Sequence, residues 1–303
     1  MRKEPSTLSA FFQHTLAGSA ICAGVGLHSG QHVRLSIRPA PAGSGIVFVR
    51  TDVAGDNRVK ASAEAVVQAR LCTVIANDSG VTVATIEHLM AALAALNIDN
   101  AVIELDGPEL PIMDGSALPF VQLLDRAGRR RQDAERSYIE VLDTVEIFDG
   151  DKYAALSPSD CFEMAFEIEF PTALIGRQRV DLAVDEDSFR AELADCRTFG
   201  FAAEVEALRA AGLARGGSLE NAVVIDGERL LNPEGLRRPD EFVRHKALDA
   251  VGDLYLLGAP LIGRFEGVKA GHWLNNQVAR ALLDQPQAWR MGPLTQDMAR
   301  AAV

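Results

Sequence analysis

Strand-like alternation, a helical pattern, a short apolar strand and a second helix follow one another twice along this chain. In the first half, HVRLSIRP puts Val33, Leu35 and Ile37 on one face, and IVFVR (46–50) is an apolar run of strand length. TIEHLMAALAAL (85–96) spaces Ile86, Leu89, Met90, Leu93 and Leu96 for a helix, with Thr85 as its expected N-cap. AVIEL (101–105) reads as a buried strand. SALPFVQLLDRAG, from Ser116, reads as a helix stopped at Gly128, and RRRQDAER (129–136) as a charged linker. The second half restarts with YIEVLDTVEIF and CFEMAFEIEF, where Phe162, Met164, Phe166, Ile168 and Phe170 alternate with glutamates. After two helical patterns and a Gly-rich turn (185–230) come the long helix DEFVRHKALDAVGDLYLL, the strand LIGRFEG and the closing helix HWLNNQVARALLD. This duplication predicts an α+β fold of two halves of similar topology, 1–130 and 137–303, packed around a cleft.

With 303 residues, 48% of them hydrophobic, the chain has ample material for a core. A net charge of −12 argues against nucleic acid and anionic membranes as partners, so an anionic ligand needs a local basic pocket. The chain has no apolar run of membrane-spanning length, and the interrupted N-terminus MRKEPSTLSAFFQHTLAGSA makes a poor secretory signal, so a cytoplasmic location without membrane insertion is expected. Cys22, Cys72, Cys161 and Cys196 lie far apart with no C-x-x-C pairing, as reduced thiols would.

The chemistry concentrates around three of the six histidines. His245, Asp249 and Asp253 stand at i, i+4 and i+8 on the long helix, one stripe on which His245 and Asp249 can grip a cation. A solvated polar stripe is the bland alternative. Glu87 and His88 occupy the first turn of the other helix, so His88 offers a third ligand. Two imidazoles and one carboxylate leave zinc an open position for water. Glu87, outside that shell, would be the general base; otherwise it is a first-turn glutamate favoured by the helix dipole. His272 in KAGHWLNN is a candidate general acid, with Asp253 holding its charge, or else merely caps its helix. A scaffolding protein without metal is a rival reading.

GVGLHSG, RPAP, TIEHLMAAL, PIMDGSALPF, CRTFGF, EFVRHKALDAVGDLYLLG and KAGHWLNN closely resemble the UDP-3-O-acyl-N-acetylglucosamine deacetylase family, from about Gln13 to the C-terminal helix. The resemblance implies a zinc enzyme of the committed step of lipid A synthesis in Gram-negative bacteria, built as two α+β domains with the active site between them. It implies zinc on His88, His245 and Asp249, Glu87 as base, His272 as acid oriented by Asp253, and Thr198 at the oxyanion. Lys246 and Lys269 would contact the substrate's polar and diphosphate groups, and Phe170 would stack on uracil. The segment 197–226 resembles the family's inserted β-α-β unit around an acyl tunnel, bordered by Phe199, Ala202, Val205, Leu208, Ala214, Ser218 and Val224, with Leu27 near its mouth. The implied partner is a UDP-linked acylated amino sugar, handled by a monomer; a non-catalytic nucleotide-sugar or acyl-chain binding module and a zinc amidohydrolase of another N-acyl sugar are the rival functions. Cys72 matches a position near the metal and reads as a buried thiol, with a second, inhibitory zinc as the alternative. His28 lies in a motif but has no assigned role.

Overall fold

A computed structural model describes residues 10–294. In the first half, β1 (Phe12–Leu16), β2 (Ala20–Val25), β3 (His32–Pro39), β4 (Ile46–Arg50) and β5 (Arg58–Lys60) precede three short strands, β6 (Val66–Gln68), β7 (Val74–Ala76) and β8 (Thr82–Ala84). Helix α1 (Glu87–Ala95), β9 (Ala101–Leu105), α2 (Leu118–Ala127) and β10 (Arg129–Glu135) complete it. The second half opens with β11 (Ser137–Val141), β12 (Val145–Asp149), β13 (Lys152–Ser157), β14 (Phe162–Glu169) and β15 (Arg177–Ala183). Then come α3 (Glu186–Glu192), β16 (Phe199–Phe201), α4 (Ala202–Ala210), β17 (Val223–Asp226), β18 (Arg229–Leu230), α5 (Glu241–Leu254), β19 (Leu261–Val268), α6 (His272–Leu283) and β20 (Trp289–Pro293).

Each half builds its own main sheet. The first has five strands in the order β2-β3-β9-β4-β5, and β3 buries Val33, Leu35 and Ile37 as its alternation requires. The second has seven strands around β19, which pairs antiparallel with β13 and parallel with β14 and β11. Small three-stranded sheets, β6-β7-β8 and β16-β17-β18, flank these, and among the described residues no ladder pairs strands from opposite sides of Arg136. The fold is thus α+β, sheets layered with helices: α5 packs on β14 and β15, and α6 on β12 and β13. Among the described residues, no helix is long and apolar enough to cross a membrane.

Two local expectations give way. The charged run after Gly128 is not a linker but strand β10, paired antiparallel with β1 from Leu16↔Arg129 to Phe12↔Glu135. Backbone pairing with β1 stabilises it while its charges face solvent, and the Arg131 guanidinium lies 4.3 Å above the Phe12 ring. Arg136, next in sequence, turns inward and pairs with Asp99 at 2.7 Å. Thr85 does not cap α1: its backbone is left-handed (φ 57°) and its hydroxyl donates to Glu109 Oε1 at 2.9 Å, so the helix starts at Glu87 without a side-chain cap.

Helix α1 is buried on nearly every side, as its apolar composition permits, because α5 crosses it closely. The crossing point is Gly252, where a Cβ would lie 2.0 Å from the Glu87 carbonyl oxygen. Replacing this glycine forces the helices apart. Gly252→Ala is therefore expected to cost about 1–3 kcal/mol in chemical denaturation, as overpacked contacts do; an unchanged midpoint would show that the crossing has slack.

Candidate active site

The α1–α5 crossing brings together residues more than 150 positions apart. His88 enters from the first turn of α1, and His245 and Asp249 from successive turns of α5. Asp249 Oδ1 stands 3.4 Å from His88 Nε2 and 3.4 Å from His245 Nε2, and the three ligand atoms all lie within 4.8 Å of one another. The two rings meet edge to face, 5.1 Å between centroids. His245 Nδ1 lies 3.1 Å from the Cys196 carbonyl, which can only accept, so the proton sits on Nδ1 and Nε2 keeps its lone pair. Burial lowers the pKa of His245 to about 3, which keeps it neutral. Asp249 is 2% exposed, yet its Oδ1 has no hydrogen-bond partner. A buried carboxylate oxygen left open between two imidazole nitrogens fits a divalent cation with N and O ligands, and the residues present fit zinc.

The remaining carboxylates are tethered. Asp249 Oδ2 accepts from Lys246 Nζ at 2.6 Å; burial opposes the Asp249 charge, but the cationic Lys246 and His272 outweigh it and hold the carboxyl well below its usual range. His272 Nδ1 lies 2.9 Å from Asp253 Oδ2, which also accepts from Asn275 Nδ2 at 2.9 Å. Burial disfavours the imidazolium, but Asp253, Glu87 and Asp249 prevail and raise the His272 pKa to about 9. Its Nε2 points toward Glu87 Oε1, 3.8 Å away, and toward Asp249 Oδ2 at 3.8 Å. Burial raises the pKa of Glu87, against the pull of His272. Thr73, which no local pattern singled out, ties both carboxylates: its N–H donates to Glu87 Oε2 (3.1 Å) and its hydroxyl to Asp253 Oδ1 (2.6 Å).

These groups open on a cavity of about 560 Å³. Of the residues singled out in the sequence, Leu27, Glu87, His88, Phe170, Thr198, Phe199, His245, Lys246, Asp249, Lys269 and His272 line it. Asp253 stands behind His272. Lys269 sits at a left-handed backbone position (φ 52°) and pairs with Asp151 (2.9 Å) and Glu169 (2.6 Å). Phe170 packs edge-on against Phe199, 5.6 Å between centroids. The loop carrying Thr198 is pinned by the buried pair Arg197–Glu241 (2.9 Å), at the start of α5. Ala202, Ala214, Ser218 and Val224 are not on the cavity wall, nor are Val205 and Leu208; from α4 it is Glu204 that reaches it.

Residues 13–284 match the family model described as UDP-3-O-acyl N-acetylglycosamine deacetylase. The chain belongs to this deacetylase family. It is similar to UDP-3-O-acyl-N-acetylglucosamine deacetylase of Phenylobacterium zucineum, 66% identical over 96% of this chain and 99% of that protein. It is also similar to the deacetylases of that name from Shewanella sp. strain W3-18-1 and Shewanella oneidensis, each 51% identical over 92% of this chain and 92% of the relative. Every residue lining the cavity falls inside the deacetylase match.

Cys72 lies outside the His88–His245–Asp249 group. Burial, with the Glu87 charge adding, pushes its thiol up to about 12, so it stays protonated at neutral pH. Cys72 is therefore expected to resist iodoacetamide at pH 8 in the native protein and to react once the chain is unfolded. Rapid native labelling, read by mass spectrometry, would contradict its burial.

Proposed function

We propose that this chain, with zinc held by His88 Nε2, His245 Nε2 and Asp249, hydrolyses the 2-acetamido group of UDP-3-O-(3-hydroxyacyl)-N-acetylglucosamine. Acetate and the free amine are the products, in the committed step of lipid A synthesis. Family membership supports the substrate class. The observation that carries the chemistry is the open Asp249 Oδ1 facing two imidazole nitrogens, with Glu87 and His272 on the same cavity. When bound, zinc supplies a Lewis acid with a free coordination position.

The chain's own residues move the protons. Glu87, held by the Thr73 N–H, takes a proton from the water whose oxygen attacks the acetyl carbon. Thr198 donates its hydroxyl to the oxyanion, worth about 3–4 kcal/mol for a well-placed donor. The C–N bond then breaks as His272, protonated and oriented by Asp253, delivers its proton to the leaving nitrogen. Lys269, at the cavity mouth, exchanges its carboxylate partners Asp151 and Glu169 for the diphosphate, while Lys246 keeps Asp249 ionised and faces the sugar's polar groups. Phe170 offers its ring to uracil. The acyl chain leaves the cavity between Leu27 and Phe199 toward the insert that carries Ala202, Ala214, Ser218 and Val224.

Purified protein is expected to hold about one zinc per chain, as a single three-residue site requires. His245→Ala and His88→Ala should lose zinc and activity together. Glu87→Ala should keep zinc and lose about 10²–10⁴-fold in kcat, the usual worth of a general base. A metal-free Glu87→Ala protein would make Glu87 a ligand instead, and acetate release equally fast from substrates with and without the acyl chain would point to a different N-acyl sugar. Lys269→Ala should chiefly raise KM, since its proposed partner is the diphosphate; a loss confined to kcat would refute that role.

A further inference from the structure

Glu109, in the segment between β9 and α2, takes no part in the chemistry above, yet it is 3% exposed. Three neutral donors converge on its carboxylate. Oε1 accepts from the His28 N–H (2.8 Å) and the Thr85 hydroxyl (2.9 Å), and Oε2 from the Ser29 N–H (2.7 Å). The loop from Gly26 to Gly30 wraps it so tightly that a Cβ on Gly26 would lie 2.5 Å from Oε2. That loop also presents its carbonyls to the insert. Arg215 N–H donates to the His28 oxygen (3.2 Å) and Gly216 N–H to the Leu27 oxygen (3.0 Å). Gly216 approaches so closely that a Cβ there would be 2.2 Å from the Gly26 oxygen. Leu27, held between these contacts, lines the cavity.

We propose that Glu109 is a positioning residue for capture of the acyl chain: it fixes the 26–30 loop as the platform on which the 214–216 end of the insert docks, and so sets the Leu27 wall. This rests on the acylated sugar-nucleotide reading. Charge-assisted bonds to buried N–H groups are strong, and they add to the loop's own turn bonds, Gly26 N–H to the Gln31 oxygen (2.9 Å) and Gly30 N–H to the Gly26 oxygen (3.0 Å), by tying residues 28 and 29 to the segment beyond β9. Glu109→Gln cannot offer oxygen to both sides: whichever way its amide turns, an NH₂ faces the N–H of Ser29 or of His28, while the Thr85 hydroxyl can rotate to accept, so the damage falls on the loop.

The test compares wild type and Glu109→Gln on UDP-3-O-acyl-N-acetylglucosamine and on the same sugar nucleotide without the acyl group, with amide hydrogen exchange on the same zinc-loaded proteins. KM for the acylated substrate should rise about tenfold, the size of one lost charged hydrogen bond, while kcat/KM for the unacylated one stays unchanged. Exchange at Arg215 and Gly216 should accelerate, with α4 unaffected. Equal losses on both substrates, or unchanged exchange at Arg215 and Gly216, would overturn the proposal. Should Glu109→Gln fail to fold, Gly216→Ala, which pushes the insert off the same loop, must reproduce the acyl-selective rise in KM, and an indifferent Gly216→Ala is equally fatal. Wild-type protein inactive on both substrates would defeat the functional reading itself, a result distinct from any of these.

Discussion

The whole site depends on how closely two helices cross. Gly252 stands on the same α5 stripe as His245 and Asp249, and its missing side chain lets the Glu87 carbonyl of α1 sit against the α5 backbone. From that contact, helical periodicity does the rest. Residues one and two turns back along α5 face His88, while Asp253, next to the glycine, faces Thr73 and His272. A separation of an ångström or two at the crossing would pull the ligand atoms beyond joint reach of one ion.

Such a crossing buries three carboxylates, Glu87, Asp249 and Asp253, and burial of charge is costly unless every oxygen has a partner. The compensation is distributed over the whole cluster. Asp253 is satisfied by Thr73, Asn275 and His272, Glu87 by the Thr73 amide, and one oxygen of Asp249 by Lys246. Two oxygens accept no hydrogen bond: Glu87 Oε1, which faces His272 Nε2 at 3.8 Å, and Asp249 Oδ1, which is buried at the point where two imidazoles converge. The start of α5 is anchored separately by Arg197–Glu241, and that ion pair also holds the loop that gives His245 its Cys196 carbonyl and brings Thr198 to the cavity. One helix therefore joins scaffold and chemistry.

Much of the fold was legible because its elements obey local periodicity: β3 by alternation, α1 and α5 by helical spacing, α2 by the Gly128 stop. Strand β10 was hidden because its charges say nothing of the β1 backbone that pairs with it, and β6, β7 and β8 are three residues each, too short for a period to show. In the site, the His245–Asp249 pair follows from i, i+4 geometry, and His88 was legible as a third ligand from its place in the first turn of the other helix, whereas the crossing at Gly252 that brings it to the pair is a packing outcome no local pattern shows. Thr73 and Glu109 escaped notice for a related reason: each acts through hydrogen bonds to residues distant in sequence, for which a single chain read locally carries no signal. The insert residues Ala202, Ala214, Ser218 and Val224 stand off the cavity, which the insert meets instead through Phe199, Gly200, Phe201 and Glu204.

The most direct test of the central claim is X-ray anomalous scattering at the zinc edge on crystals of the zinc-loaded protein. A single strong peak about 2.0–2.2 Å from His88 Nε2, His245 Nε2 and Asp249 Oδ1, with Glu87 outside bonding distance, is the result expected. A peak elsewhere, or one that draws Glu87 into the coordination shell in place of Asp249, would contradict it.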